Sequence, residues 1–370
     1  MPLCSLEEAL EDLKAGKFVI VVDDEQRENE GDLVMFAETV TPEAVNFAVT
    51  EARGLLCMPI IGERLDELDI PLMISQNTST KNHTAFTVSV DYNQGTTTGI
   101  SAQDRSATIQ ALIDPEVRGD KLSRPGHLFP LRYHPGGVLA RAGHTEAIVD
   151  LCVIAGVYPA GIVCEIMNED GSMARREDLE VFAQEHDLKI GTIADLIQYR
   201  ALNEKTIEQV SDNALDTWYG DFRLVAFRDT VDGLTHVALV KGEISEDREV
   251  TVRVHQVDPL RDLMSAKMNG RTGWNMHRVL EAVSEADAGV VIILGQDYES
   301  QDTVERLESF FGGTAAKPKG ESRAYRNIGT GSQILKALGV RKMRLLSSPM
   351  KFNALSGFDL EITEYVEADS

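Results

Sequence analysis

The chain has 370 residues, 43% hydrophobic and 26% charged, a balance typical of folded globular proteins and a length that divides naturally into two domains. Sixty acidic against thirty-six basic residues leave a net charge of −24, which excludes an extended nucleic-acid-binding surface. The longest apolar runs, such as residues 288–294, fall short of the roughly 20 residues that span a bilayer, and Met1-Pro2-Leu3-Cys4-Ser5 is no secretory leader; no membrane partner and a cytoplasmic location are expected.

In chain order, Ser5 with Glu8 forms a capping box for a helix that Gly16 closes, and residues 18–22 then read as a short buried strand. Thr41-Pro42-Glu43 starts a second helix, with Gly54 as its stop. Strand and helix signals go on alternating: strand at 55–61, helix at 101–113, strand at 161–167, helices at 176–186 and 192–201. The predicted class is α/β (or α+β). Beyond residues 202–210 the texture changes. Three strand-like runs at 222–227, 236–244 and 250–255 suggest an antiparallel meander, and a Gly/Lys/Pro-rich loop covers 312–320. The domain boundary is placed near residue 205, giving domains 1–205 and 206–370. Four cysteines, Cys4, Cys57, Cys152 and Cys164, show no C-x-x-C spacing, and the last three sit in apolar runs as buried reduced thiols.

Four clusters carry chemistry. Asp23-Asp24-Glu25-Gln26-Arg27-Glu28-Asn29-Glu30-Gly31-Asp32 follows a buried strand directly, at a strand end where ligand loops are common. Charge runs are ordinarily solvated loops. If this one is extended, however, Glu28, Glu30 and Asp32 point to one side, a row that needs a cation or a proton among them. Arg124-Pro125-Gly126-His127 continues to Arg132-Tyr133-His134-Pro135-Gly136-Gly137, where Pro-Gly pairs place both histidines on loops. In Arg141-Ala142-Gly143-His144-Thr145-Glu146, arginine, glycine and hydroxyl suit a phosphate and leave His144 for a metal, although the same pattern serves a plain helix start. Glu165 interrupts an apolar strand, and a buried carboxylate must be paired, metal-bound or protonated. A Gly/Thr-rich stretch, 95–101, offers amides that could bind an anion, a weak signal alone.

Together, Asp-Asp-Glu-x-Arg-Glu-Asn-Glu-Gly-Asp (23–32), Thr-Thr-Gly-Ile-Ser (97–101), Arg-Pro-Gly-His (124–127), Arg-x-Gly-His-Thr-Glu (141–146) and Cys-Glu with Asn-x-Asp-Gly (164–171) resemble 3,4-dihydroxy-2-butanone-4-phosphate synthase of riboflavin biosynthesis, in order over about residues 5–200. The resemblance implies a lyase that converts D-ribulose 5-phosphate to L-3,4-dihydroxy-2-butanone 4-phosphate and formate, in a homodimer with sites near the subunit interface. It assigns Glu28 and His144 as ligands of two Mg²⁺ ions. Arg27, Glu28, Asp32, Glu165 and the loop Arg141, Ala142, Gly143, His144, Thr145 would contact the sugar phosphate. His127 and Glu165 would transfer protons. A mixed carboxylate and imidazole site also tolerates Mn²⁺.

The second half resembles a GTP cyclohydrolase II domain, through 236–244, 252–255, 326–335 and 338–346. That family holds zinc with three cysteines just after the histidine matching His255. Here no cysteine follows Cys164, and the Arg/Gly-rich catalytic segment is replaced around 294–297. No zinc and no second activity are expected. The alternatives are a bifunctional enzyme that also hydrolyses GTP, which the missing cysteines disfavour, and a structural protein with both halves inactive, which the intact first-half motifs disfavour.

Overall fold

Ser5 caps the first helix, α1 (Leu6–Lys14): its hydroxyl accepts from the Glu8 amide at 3.2 Å while the Glu8 carboxylate accepts from the Ser5 amide at 2.8 Å. The structure is a computed structural model that describes residues 3–25, 27–74, 84–266, 273–295, 320–348 and 359–368, without the side chains of 320–325. Gln26, most of the 312–320 loop, Gln296 and Asp297 lie outside the described residues. The chain divides into two compact units, Met1–Ile197 forming most of the first and the remainder most of the second.

In the first unit, β1 (Val19–Val22) pairs antiparallel with β2 (Gly31–Phe36), Val21 opposite Asp32. The acidic segment is therefore the connection of a hairpin, turning at Asn29 with φ 55°. This corrects the extended reading: the carboxylates are gathered by a turn and not by strand alternation. Helix α2 (Pro42–Phe47) starts at Thr41 and runs on through one π-helical turn to Arg53, whose left-handed φ of 69° ends it one residue before Gly54. Then follow β3 (Cys57–Ile60), α3 (Gly62–Glu67), β4 (Val90–Tyr92), α4 (Ala102–Ile113), β5 (Leu122–Arg132), α5 (His144–Ala155), β6 (Gly161–Glu165), α6 (Arg176–His186) and β7 (Lys189–Thr192). Seven strands lie in the order β4-β5-β3-β6-β2-β1-β7.

Both faces of this sheet are buried, so its strands read as nearly continuous apolar runs. Ile20, Leu33, Met35, Met58, Ile162 and Cys164 join residues of α2, α4 and α6 in the main core. The alternate residues Val19, Val21, Val34, Phe36 and Val163 are buried too, on the face where α5 lies against β2, β3 and β6. Asp32 and Glu165 share that parity and sit directly opposite each other, so two carboxylates open onto the face that carries α5.

The second unit takes in most of α7 (Ile193–Asn203), followed by β8 (Ile207–Thr217), β9 (Gly220–Asp229), β10 (Thr235–Lys241), β11 (Glu249–Gln256), α8 (Pro259–Asp262), α9 (Met276–Glu285), β12 (Gly289–Leu294), α10 (Gly320–Ala337), β13 (Lys342–Leu346) and β14 (Glu361–Val366). Their order is β14-β13-β11-β12-β10-β9-β8. The meander expected of 222–227, 236–244 and 250–255 holds for the β9–β10 pair only, and β8, a strand the sequence reading did not include, extends it on the other side of β9. β11 runs parallel between β12 and β13, and β12 separates it from β10. The helical connection through α9 is long enough for a parallel crossover, and the unbroken apolar run of β12 fits a strand covered on both faces. Among the described residues no helix is long and apolar enough to cross a membrane. Cys57, Cys152 and Cys164 are free and buried, and burial pushes the Cys164 thiol up to about 12.

Candidate active site

The β1–β2 connection folds around Asp23. Its carboxylate accepts from the amides of Glu28 at 3.1 Å and Glu30 at 2.9 Å and from the Arg27 guanidinium at 2.8 Å. Arg27 also pairs with Glu28. Burial works against the Arg27 charge, but Glu28 and Asp23 outweigh it and hold its pKa above the ordinary arginine value. Asp23 was not singled out from the sequence; its place in the acidic motif was the available signal.

His144 is the first residue of α5, fully packed against the end of β1 and β2. Its Nε2 stands 3.0 Å from the carbonyl oxygen of Val21, which can only accept, so the ring proton is on Nε2 and the Nδ1 lone pair is left over. Nδ1 lies 3.7 Å from Asp32 Oδ1 and 4.0 Å from Glu28 Oε2. Asp23, Glu28 and His144 each present a ligand atom within 4.8 Å of the others. Burial depresses the His144 pKa to about 4, against the pull of the nearby carboxylates, so the ring is neutral at pH 7.

Asp32 is buried, and its Oδ1 has no hydrogen-bond partner among the described residues. Burial first, then Glu165 and Glu28, raise its pKa well above the usual carboxylate range. An ionised carboxylate left unpaired there costs several kcal/mol. The site as built therefore calls for a proton or a cation. A histidine that donates its far N–H to a backbone carbonyl while turning its other nitrogen toward carboxylates has the arrangement of a metal ligand. The donor set of imidazole and carboxylate oxygens fits a divalent cation.

Glu165 closes the opposite side. Its Oε2 accepts from the Leu55 amide at 2.8 Å, and burial raises its pKa. Gly54, expected as a helix stop, serves this contact instead: a Cβ there would lie 2.3 Å from the Glu165 carbonyl oxygen and 2.7 Å from Oε2. An open pocket of about 480 Å³ lies against Glu165, lined also by Glu30, Arg53, Gly54, Leu55 and two methionines.

The 141–146 loop is a helix start, as the plainer sequence reading had it. Gly143 is the N-cap of α5 and offers no side chain to the helix end, so the amides of the first turn, including that of buried Thr145, lack intrahelical partners. Arg141 bonds Glu146 and, at 2.6 Å, Thr84. A Cβ on Gly143 would lie 2.5 Å from the Arg141 guanidinium and 2.9 Å from that of Arg27, so both arginines converge beside this helix end; Ala142 is half-buried. Helix amides flanked by guanidinium groups make an anion site.

His127 is not part of this cluster, and it is not on a simple loop. It lies within β5, in a bulge: Val90 of β4 pairs with Leu128 while Asp91 pairs with Ser123, so residues 124–127 stand out of the ladder. Pro125 cannot donate to the ladder, and the bulge accommodates it. The His134 ring is exposed, its Nδ1 2.6 Å from the Pro135 carbonyl, and among the described residues only the backbone amide of this residue touches the helix-start group, donating to Glu146 at 3.3 Å. The 95–101 amides do meet an anion, but an internal one: the Asp104 carboxylate accepts from Thr97 N at 3.1 Å and Gly99 N at 3.0 Å.

Residues 7–199 match the family model described as 3,4-dihydroxy-2-butanone 4-phosphate synthase, and residues 208–367 match that of GTP cyclohydrolase II. A 3,4-dihydroxy-2-butanone 4-phosphate synthase of Pseudomonas aeruginosa is 50% identical over 369 residues, covering 100% of each chain. The riboflavin biosynthesis protein RibBA of Aquifex aeolicus is 47% identical over 383 residues, 98% of this chain and 91% of its own. Among solved structures, RibBX, a two-domain synthase of the same name from A. baumannii, matches with a TM-score of 0.84 at 47% identity, over 99% of this chain and 100% of that one. A synthase solved with two magnesium ions matches with a TM-score of 0.52 at 40% identity, over 54% and 98%.

Proposed function

The chain belongs to the 3,4-dihydroxy-2-butanone 4-phosphate synthase family, and from that membership we infer how its first unit converts D-ribulose 5-phosphate into L-3,4-dihydroxy-2-butanone 4-phosphate and formate for riboflavin biosynthesis. The observation that carries the inference is the convergence of Glu28 and Asp32 on the free Nδ1 of His144. Glu28 and His144 are the residues that hold divalent metal, Mg²⁺ or Mn²⁺, two ions per site. When bound, the metal acts as a Lewis acid on neighbouring substrate oxygens. The phosphate end belongs at the N-terminus of α5, against the amides of the 143–145 turn, with Arg141 and Arg27 beside it. Asp32 orients substrate hydroxyls. Glu165 moves a proton at Oε1, because Leu55 already holds Oε2; a raised pKa suits a group that must both take and return it.

His127 is the second proton-transferring group, and it acts across a subunit interface. β5 and β2 are three strands apart in the sheet, roughly 14 Å at the usual strand spacing. The ring is moreover bonded to Asp91 on the far side of β5. Within one chain it does not reach the substrate, whereas an isologous dimer brings a second copy's exposed histidine to each site. We place the domain boundary near residue 205.

The second unit, a GTP cyclohydrolase II-like module, has neither zinc nor the hydrolysis of GTP. Supporting this, residues 206–370 contain no cysteine to supply the three thiolates with which that family holds zinc. The reading is tested on purified, EDTA-stripped full chain. Formate should form from D-ribulose 5-phosphate only when Mg²⁺ or Mn²⁺ is restored, and formation that ignores EDTA would contradict it.

A further inference from the structure

Asp91 holds His127 at two points. Oδ1 accepts from the His127 amide at 2.8 Å, and Oδ2 lies 2.7 Å from its ring Nδ1. Among the described residues nothing takes Nε2. A His–Asp contact at a protein surface is ordinarily worth little, and a half-exposed histidine beside an aspartate needs no role. Here, however, the surrounding chain is built around the contact. Gly99, at φ 91°, lies so close that a Cβ would be 2.0 Å from Asp91 Oδ2. A Cβ on Gly126 would be 2.0 Å from the Val90 carbonyl carbon and 2.3 Å from the Asp91 nitrogen. The Gly126 amide donates to Ser89 O at 3.0 Å, and the turn carrying Gly99 is clamped to α4 by Asp104. Gly99 thus lies against the Asp91 carboxylate, Gly126 against the backbone that carries it, and the four-residue bulge brings the His127 amide and ring to the same side chain.

We propose that Asp91 is a positioning residue for His127, fixing the ring and keeping its resting proton on Nδ1 so that Nε2 faces the substrate as the base. The inference rests on the proton-transfer role given to His127 above and holds whichever copy supplies that residue. In the neutral ring the Nδ1–H is donated to Asp91. When Nε2 takes a proton from the substrate, the imidazolium is stabilised by the carboxylate, which stays ionised, and the proton leaves again through Nε2. Asparagine at position 91 keeps the shape but can present an NH₂ to Nδ1, stabilising the tautomer with the wrong nitrogen protonated.

The test compares Asp91→Asn, His127→Asn and the double variant in full-length protein with Mg²⁺. Asp91→Asn should lower kcat by at least about tenfold, up to the full loss in His127→Asn, with KM changed less than about twofold. In the His127→Asn background it should change nothing further, because a residue acting only through His127 has nothing left to act on. Nitrogen-15 spectra of the resting enzyme should show the His127 proton moving from Nδ1 toward Nε2. Gly99→Ala, which keeps the carboxylate but displaces it, should repeat the kcat loss and its silence in the His127→Asn background, and carries the comparison if Asp91→Asn folds poorly. Wild-type kcat in Asp91→Asn beside an inactive His127→Asn overturns the proposal alone, as do losses that multiply in the double variant. Wild-type kcat in His127→Asn overturns instead the reading of His127 beneath it.

Discussion

His144 Nε2 stands 3.0 Å from the carbonyl oxygen of Val21, and this contact decides what the other face of the ring can do. With Nε2 committed as a donor, Nδ1 is a lone pair turned toward Asp32 and Glu28. Because Val21 is opposite Asp32 in the β1–β2 ladder, the strand pairing that builds the hairpin also sets the distance between His144 and Asp32.

Arg141 supplies a two-point grip, on Glu146 and Thr84, beside the open end of α5. Arg141→Lys should therefore weaken apparent affinity for ribulose 5-phosphate by roughly tenfold, replacing a fork with a point charge, while kcat changes less. Steady-state kinetics read this directly, and unchanged KM would remove Arg141 from the phosphate site.

Glu165→Gln and His127→Asn should each cut kcat by about 10²–10⁴ with a smaller effect on KM. If each site takes Glu165 from one copy and His127 from the other, subunits of the two inactive variants, unfolded and refolded together, should recover about a quarter of wild-type activity, since half the dimers are mixed and half their sites intact. No recovery from demonstrably mixed dimers would put both residues in one chain's site.

Both tryptophans, Trp218 and Trp274, lie in the second unit, so their fluorescence follows its unfolding. There Asp262 accepts from His255 at 2.9 Å, the Asp258 amide at 2.7 Å and the Met276 amide at 3.0 Å. Burial works to raise the Asp262 pKa, but these bonds and Arg261 depress it to about 2, while burial lowers that of His255. A depressed aspartate stabilises above its unfolded pKa and loses that contribution as pH falls toward the folded value. A histidine kept neutral likewise loses its contribution as pH falls below the unfolded value near 6.5. The tryptophan-detected melting temperature should thus drop between pH 7 and pH 3. Asp262→Asn should cost about 1–3 kcal/mol at pH 7 and flatten that dependence. An unchanged pH profile would contradict the assignment.

The second unit should bind no stoichiometric zinc and release no formate or pyrophosphate from GTP, and a 1–205 truncation should keep lyase turnover while losing stability or assembly. A catalytic zinc needs three protein ligands and an open position, and residues 206–370 contain no cysteine. One zinc per chain by elemental analysis would overturn this.

Much of the site is legible in the sequence because its residues are close in the chain: Arg27, Glu28 and Asp32 in one motif, Arg141 to Thr145 in another. Helix limits set by Ser5, Thr41 and Ser101 are local as well, since a cap is a bond within a few residues. What escapes is set by pairing over distance. The hairpin fold of the acidic segment depends on β2, whose apolar part, 33–36, is too short to announce a partner. His127 looks like a loop residue because Pro125 and Gly126 signal turns, whereas a bulge absorbs both within a strand. Asp91 carries no local signal, its partner being thirty-six positions away. β12 enters the second sheet between β10 and β11 for the same reason.

The measurement that bears most directly on the account is formate release from ribulose 5-phosphate by EDTA-washed Glu28→Gln and His144→Ala at limiting Mg²⁺. Loss of a direct ligand should remove roughly 3 kcal/mol or more of charge stabilisation, a hundredfold or greater fall in rate, in variants whose melting shows an intact fold. Near wild-type formate production by both would contradict the metal site on which everything else depends.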